Sequence, residues 1–134
     1  MERIIALDPG RQKCGMAVFD DGSLVHKRVL ATGELKSEVL QWYNEHSQLL
    51  VGDRTGSKNF ISELREMFGI MKEDIILVDE HRTTLEARTR YWQEHPPKGW
   101  RRWLPTTMQE PPEPVDDYVA VILAERYFRQ VIGG

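Results

Sequence analysis

The sequence has a single cysteine, Cys14, and so cannot form an internal disulfide. That excludes a disulfide-stapled secreted scaffold and fits a reducing cytoplasm. No apolar run approaches the ~20 residues that a membrane-spanning helix needs, so no membrane association is expected. The start, Met1-Glu2-Arg3-Ile4-Ile5, enters a strand-like stretch with no signal-peptide pattern. An excess of basic residues is also missing: 18 Lys and Arg stand against 21 Asp and Glu, for a formal net charge of −3. Most nucleic-acid-binding domains are basic overall, so this total argues against such a partner. A site built from several carboxylates would lower the sum by itself.

What is present suffices for one core. The 134 residues are 40% hydrophobic and 29% charged, which predicts a single domain over 1–134 with a charged surface. Arg3-Ile4-Ile5-Ala6-Leu7 is an apolar run ended by the turn signal Asp8-Pro9-Gly10. Gly15–Phe19, closed by Asp20-Asp21-Gly22, and Leu24–Ala31 read as two further strands. Lys27 and Arg28 suit an edge. The short turns between these three strands predict an antiparallel meander.

Helical spacing of Leu35, Val39, Trp42 and Tyr43 then predicts a helix ending near His46. Leu49–Gly52 follows as a short buried strand, and Phe60, Leu64, Met67 and Phe68 mark a second helix ending near Gly69. Ile75–Val78 is a continuous apolar strand, as expected when both sheet faces are covered. Thr83 with Glu86 forms a capping-box pattern opening a helix through about Trp92. Residues 95–114 hold six of the seven prolines and read as a long loop without regular structure. A last helix runs from Asp116 to about Val131, giving the order βββ-α-β-α-β-α-loop-α.

Acids stand where these elements begin or end. Asp8 follows the first strand, Asp53 the strand at 49–52, and Asp79 and Glu80 the strand at 75–78, while Asp116 and Asp117 open the final helix. In an open α/β sheet ligands gather at the carboxyl ends of the strands, so these acids can converge on one spot. Like charges a few ångströms apart oppose joint ionisation. Mg2+ or Mn2+ takes oxygen ligands and relieves that repulsion. Two such ions ~3.5–4 Å apart activate a water and stabilise the leaving oxygen of a phosphodiester.

Each acid taken singly also has a plain structural reading. Asp8 suits a turn, Asp116 a helix N-cap, Asp53 a turn and Glu80 a solvated loop. Their joint placement favours the metal site. The residue pattern does not choose between Asp79 and Glu80, or between Asp116 and Asp117.

Three segments together resemble the YqgF/RuvX family of pre-16S ribosomal RNA nucleases and Holliday-junction resolvase-like proteins. Leu7-Asp8-Pro9-Gly10, continuing to Gly15-Met16-Ala17-Val18, is similar to the family's opening strands. Asp79-Glu80-His81-Arg82-Thr83-Thr84-Leu85-Glu86-Ala87-Arg88 resembles its Asp-Glu-Arg-x-Thr-Thr-x-Glu-Ala segment. Val115-Asp116-Asp117-Tyr118-Val119-Ala120-Val121-Ile122-Leu123 is similar to its closing Asp and apolar helix.

The resemblance implies an α/β RNase H-like fold in three layers, a mixed five-stranded sheet flanked by helices. It also implies Asp8, Glu80 and Asp116 as the catalytic, metal-holding acids. The sequence departs from the pattern in three places. His81 stands where the family commonly has Arg, Gly52-Asp53-Arg54-Thr55-Gly56-Ser57 replaces a Gly-x-Pro, and the proline-rich loop is longer. The second departure supplies a carboxylate where RuvC-like resolvases have one, which makes Asp53 a fourth candidate ligand.

A basic, aromatic stretch answers part of the charge objection. Arg88, Arg90, Tyr91, Trp92, Lys98, Trp100, Arg101, Arg102 and Trp103 lie close together and include three of the four tryptophans. Arginine and lysine pair with phosphates, and Trp or Tyr stacks on unpaired bases. Trp92, on a helix, reads first as core, while Trp100 and Trp103 suit either loop anchoring or base stacking. Lys58, after Gly56-Ser57, is a further candidate phosphate contact or a solvated lysine.

The expected activity is a Mg2+- or Mn2+-dependent endonuclease acting on structured nucleic acid. Pre-16S rRNA 5′-end processing leads, with Holliday-junction resolution as the alternative. A non-catalytic nucleic-acid-binding module is the reading from another class. Asp8-x-Gly10 is also similar to the phosphate loop of actin-like phosphotransferases, but those enclose a nucleotide between two such domains, and 134 residues are too few for that. A resolvase cutting two strands symmetrically needs a dimer and an RNA nuclease does not, so monomer and homodimer both stay open.

Overall fold

β1 (Arg3–Asp8) is buried from Ile4 onward on both its faces, which suits a central strand flanked by helices on each side. In the computed structural model, residues 2–10, 12–53, 57–69, 75–79, 81, 83–97, 99, 103, 105, 111 and 114–133 are described, with the backbone alone at 57, 58, 67, 68 and 131–133. β2 (Lys13–Asp20) pairs antiparallel with β1, and β3 (Ser23–Ala31) pairs antiparallel with β2. The expected meander therefore forms. Its β2–β3 turn is the two-residue Asp21-Gly22, with φ of 49° and 87°, the pair of positive values that a type I′ hairpin requires.

β4 (Ser47–Gly52) lies parallel to β1, and β5 (Ile75–Val78) parallel to β4. The sheet order is β3-β2-β1-β4-β5, so the sheet is mixed and five-stranded as expected. β3 forms one edge and leaves Leu24 and Val25 exposed beside Lys27 and Arg28.

Strand alternation divides the core into two layers. One sheet face presents Ile4, Ala6, Ala17, Phe19, Leu50 and Val78 to α3 (Thr83–Glu94) and α4 (Asp116–Gly133). The other presents Ile5, Leu7, Met16, Val18, Leu49 and Val51 to α1 (Leu35–Trp42) and α2 (Ser57–Phe68). The seven residues Tyr118–Ala124 of α4 are all buried. A helix buried around its whole circumference belongs inside a core. α4 therefore packs on the sheet and on α3 together.

Two boundaries differ from expectation for a visible reason. α1 stops at Trp42 rather than near His46 because the Asn44 side chain accepts the His46 N–H at 2.8 Å and the Ser47 hydroxyl at 3.2 Å, turning the chain into β4. α3 continues past Trp92 to Glu94 and ends before Pro96-Pro97, where proline disfavours further helix. Most of the proline-rich stretch at 95–114 lies outside the described residues. Among the described residues no helix is long and apolar enough to cross a membrane.

Candidate metal centre

Asp8 ends β1 and is only 2% exposed. It is in phase with Ile4 and Ala6, so its side chain belongs to the sheet face covered by α3 and α4. Its partner across the antiparallel ladder is Gly15. A Cβ at Gly15 would stand 1.8 Å from the Asp116 carbonyl oxygen. Glycine is thus what lets the first turn of α4 settle directly on β2, beside the strand position of Asp8. This contact sets the Asp116 backbone beside the strand pair Asp8–Gly15.

Asp53 follows β4 and is exposed, and its N–H donates to the Val78 carbonyl at 3.0 Å. Because β1, β4 and β5 run parallel, Asp8, Asp53 and Asp79 stand at the same end of three neighbouring strands. Adjacent strands are about 4.8 Å apart. The Asp79 Oδ1 accepts the His81 N–H at 3.0 Å, an Asx turn that ties this carboxylate to its own loop. Glu80 lies outside the described residues.

Asp117 faces elsewhere. Its Oδ2 pairs with the Lys27 Nζ at 3.2 Å and its Oδ1 accepts the Tyr118 N–H at 2.9 Å. The same Lys27 ammonium sits 4.2 Å from the centre of the Tyr118 ring, a favourable cation–π geometry. The Tyr118 hydroxyl donates to Glu94. Burial, then the bond to Glu94, push this hydroxyl above its ordinary pKa, so Tyr118 stays protonated. A chain Lys27–Asp117 and Tyr118–Glu94 thus flanks the start of α4.

A fork of contacts holds the β5–α3 connection. Arg126 of α4 donates to the Asp79 carbonyl at 2.7 Å, to the His81 carbonyl at 2.6 Å and to Glu86 Oε1 at 3.0 Å. Glu86, the far half of the predicted capping box, therefore pairs with a helix 40 positions later in the chain. The sequence reading missed Arg126 and the Lys27–Asp117 pair. Lys27 carries a weak signal, since an edge-strand lysine in register with Ala17 shares the α4 face.

Only part of the predicted nucleic-acid surface falls on described residues. Lys98, Trp100, Arg101 and Arg102 lie outside the described residues. Lys58 sits in the first turn of α2, Arg88 is half-buried in the second turn of α3, and Trp103 is 77% exposed. Arg90 instead pairs with Glu125 across the α3–α4 interface, which raises the guanidinium pKa through that hydrogen bond. Trp92 packs against the core, as its helical position suggests.

Among the described residues no three His, Cys, Asp or Glu side chains form a ready metal site. The donors gathered at the strand ends still fit a hard divalent cation. They are all carboxylate oxygens, one of them is buried, and Asp116 opens a helix beside it. The other buried acid among the described residues, Glu38, is accounted for by His26 and Arg28, each 3.0 Å away, and belongs to the packing of α1 on β3.

No protein-family model matches the sequence, and no curated protein matches it. Among solved structures the chain is similar to Thermus thermophilus RuvC, at 14% identity and a TM-score of 0.52, over 98% of this chain and 96% of that one. It is likewise similar to T. thermophilus RuvC in complex with Holliday junction substrate, at 16% identity and a TM-score of 0.56 over the same shares, 98% and 96%. The sheet order with helices on both faces, together with this likeness, shows that the chain has an RNase H-like α/β fold.

Proposed function

We propose that the chain is one RNase H-like nuclease domain of the YqgF/RuvX type, a divalent-metal-dependent endonuclease acting on structured nucleic acid. The observation that carries this reading is the meeting of the buried Asp8 with the start of α4 through Gly15. In this reading Asp8, Glu80 and Asp116 hold Mg2+ or Mn2+, with Asp53 assisting from the end of β4. Such a cation, when bound, activates water and stabilises the leaving oxygen of a phosphodiester.

The chain's own residues do the arranging. Burial fixes Asp8, and the packed α4 fixes Asp116. Lys27 neutralises Asp117, which favours Asp116 as the ligand of that pair. The Asx turn of Asp79 favours Glu80 as the ligand of the other. Lys58, Arg88, Lys98, Trp100, Arg101, Arg102 and Trp103 are the proposed contacts to phosphate and unpaired bases. A cytoplasmic setting suits the lone Cys14.

Pre-16S rRNA 5′-end processing is the substrate reading that the sequence motifs favour. Holliday-junction cleavage is the second, favoured by the likeness to RuvC in complex with its junction substrate. The test is cleavage of single-stranded RNA, a pre-rRNA-like RNA and a four-way DNA junction with Mn2+, by wild type and Asp8→Asn. Metal-dependent cutting that the variant loses supports the nuclease, and the preferred substrate selects the version. Binding without cutting by either protein would replace the enzyme with a non-catalytic binding module.

A further inference from the structure

α4 touches the candidate centre at two separated points. Asp116 is its first residue, and Arg126 lies ten residues further on, about 15 Å along the axis at 1.5 Å per residue. From there the Arg126 guanidinium reaches the carbonyls of Asp79 and His81, the residues on either side of Glu80 in the sequence. Its Nη2 also reaches Glu86. The Arg126 side chain is 17% exposed, while its acceptors on Asp79 and His81 lie at the surface.

Three acceptors on one guanidinium make a defined join. A planar fork sets direction as well as distance, which a lysine ammonium does not. Two of the acceptors are main-chain carbonyls, so the join holds the main chain at Asp79 and His81 and not merely a side chain on it. A helix-to-helix staple would need only Glu86. The neighbouring Arg90–Glu125 pair is such a staple: it links α3 to α4 at the adjacent position of the same helix and, among the described residues, has no bond to the β5–α3 connection.

We propose that Arg126 is a positioning residue of the carboxylate centre, locking the β5–α3 connection to the helix that bears Asp116. This rests on the metal-dependent reading above. The join holds two sources of carboxylate, the head of α4 and the end of β5, in one frame before any cation arrives. Groups that orient metal ligands from outside the coordination shell typically contribute 10–100-fold in metal affinity. That preorganisation is what loss of the fork removes.

The experiment is Mn2+ binding by the full chain without nucleic acid, measured by titration calorimetry well below the melting temperature. Wild type, Arg126→Ala, Glu125→Gln and Asp8→Asn are compared. The expected result is an affinity about 10–100-fold weaker for Arg126→Ala, with Glu125→Gln close to wild type. If Arg126→Ala does not fold, Arg126→Lys keeps the charge without the fork and should weaken binding in the same direction. Unchanged affinity in the Arg126 variants, with binding lost in Asp8→Asn, overturns the positioning role and leaves the nuclease reading standing. Equal weakening in Arg126→Ala and Glu125→Gln also overturns it, because loss of α3–α4 packing would then suffice. Absence of Mn2+ binding by wild type overturns both.

Discussion

Gly15 lies against Asp116 so closely that any side chain at position 15 would collide with the backbone of α4. The collision is with a carbonyl and not with the end of a flexible side chain, so it cannot be relieved by a rotamer change. It would be relieved by moving the helix, and moving the helix moves Asp116. Gly15→Ala should therefore lower the urea midpoint by the equivalent of at least about 1–3 kcal/mol, the usual cost of overpacking. Metal-dependent activity should fall further than that stability loss explains, with the protein assayed where it is still folded. Retained wild-type activity would mean that Asp116 is not held by this contact.

Asp116→Asn and Asp117→Asn should separate cleanly. Lys27 holds the Asp117 carboxylate, so its amide variant should cost about 1 kcal/mol or less, as for partly exposed ion pairs, and keep cleavage. Asp116→Asn should lose cleavage by more than the 10–100-fold typical of groups outside the metal shell. Steady-state rates with Mn2+ and thermal melts of both variants check this. The reverse order of activities would assign the ligand role to Asp117.

Lys27 supports two neighbours at once, the Asp117 carboxylate and the Tyr118 ring. Lys27→Met keeps much of the stem but loses both interactions. The expected loss is about 1–2 kcal/mol, from an ion pair and a cation–π contact of ordinary size. A denaturation midpoint equal to wild type would mean that neither contact contributes.

At the opposite end of β1, Arg3 donates to both oxygens of Asp20, at 2.7 and 2.9 Å. That hydrogen bonding holds the Asp20 carboxyl below its ordinary range. An unfolded Asp titrates near about 3.9, above the folded value. The stabilisation is thus fully present above about pH 4 and is lost as pH falls through the depressed folded value. The difference in stability between wild type and Asp20→Asn should be largest near neutrality and shrink in acid, as urea midpoints at several pH values would record. A difference independent of pH would mean that the charge of Asp20 contributes nothing.

The sheet was largely legible in the residues themselves. Apolar runs bounded by turn signals marked β1, β2 and β5 closely, and Asp21-Gly22 fixed the hairpin because few other residues tolerate two positive φ values. The end of α1 was not legible, because the side-chain bonds of Asn44 override the helical spacing of nearby apolar residues. Asp8 and the Asp116-Asp117 pair could be nominated as candidate site residues from their positions at element ends. Gly15 could not, since a glycine in a strand reads as a weak or bulged position until the partner helix is known. Arg126 was hidden for a different reason: two of its acceptors are carbonyls, and every residue has one. Within Asp116-Asp117 the residue pattern left the choice open and the family resemblance supplied Asp116, while the pairing of Asp117 with a lysine 90 positions away was not legible.

The unbroken burial of Tyr118–Ala124 has a dynamic consequence. Proteins open in cooperative pieces, and the segments most deeply packed open last, by unfolding as a whole. Amide hydrogens of this stretch should therefore be among the slowest to exchange with solvent. Asp116 begins the same helix two residues earlier, so lifting α4 as a whole from the sheet would require thermal motion to take this core apart first.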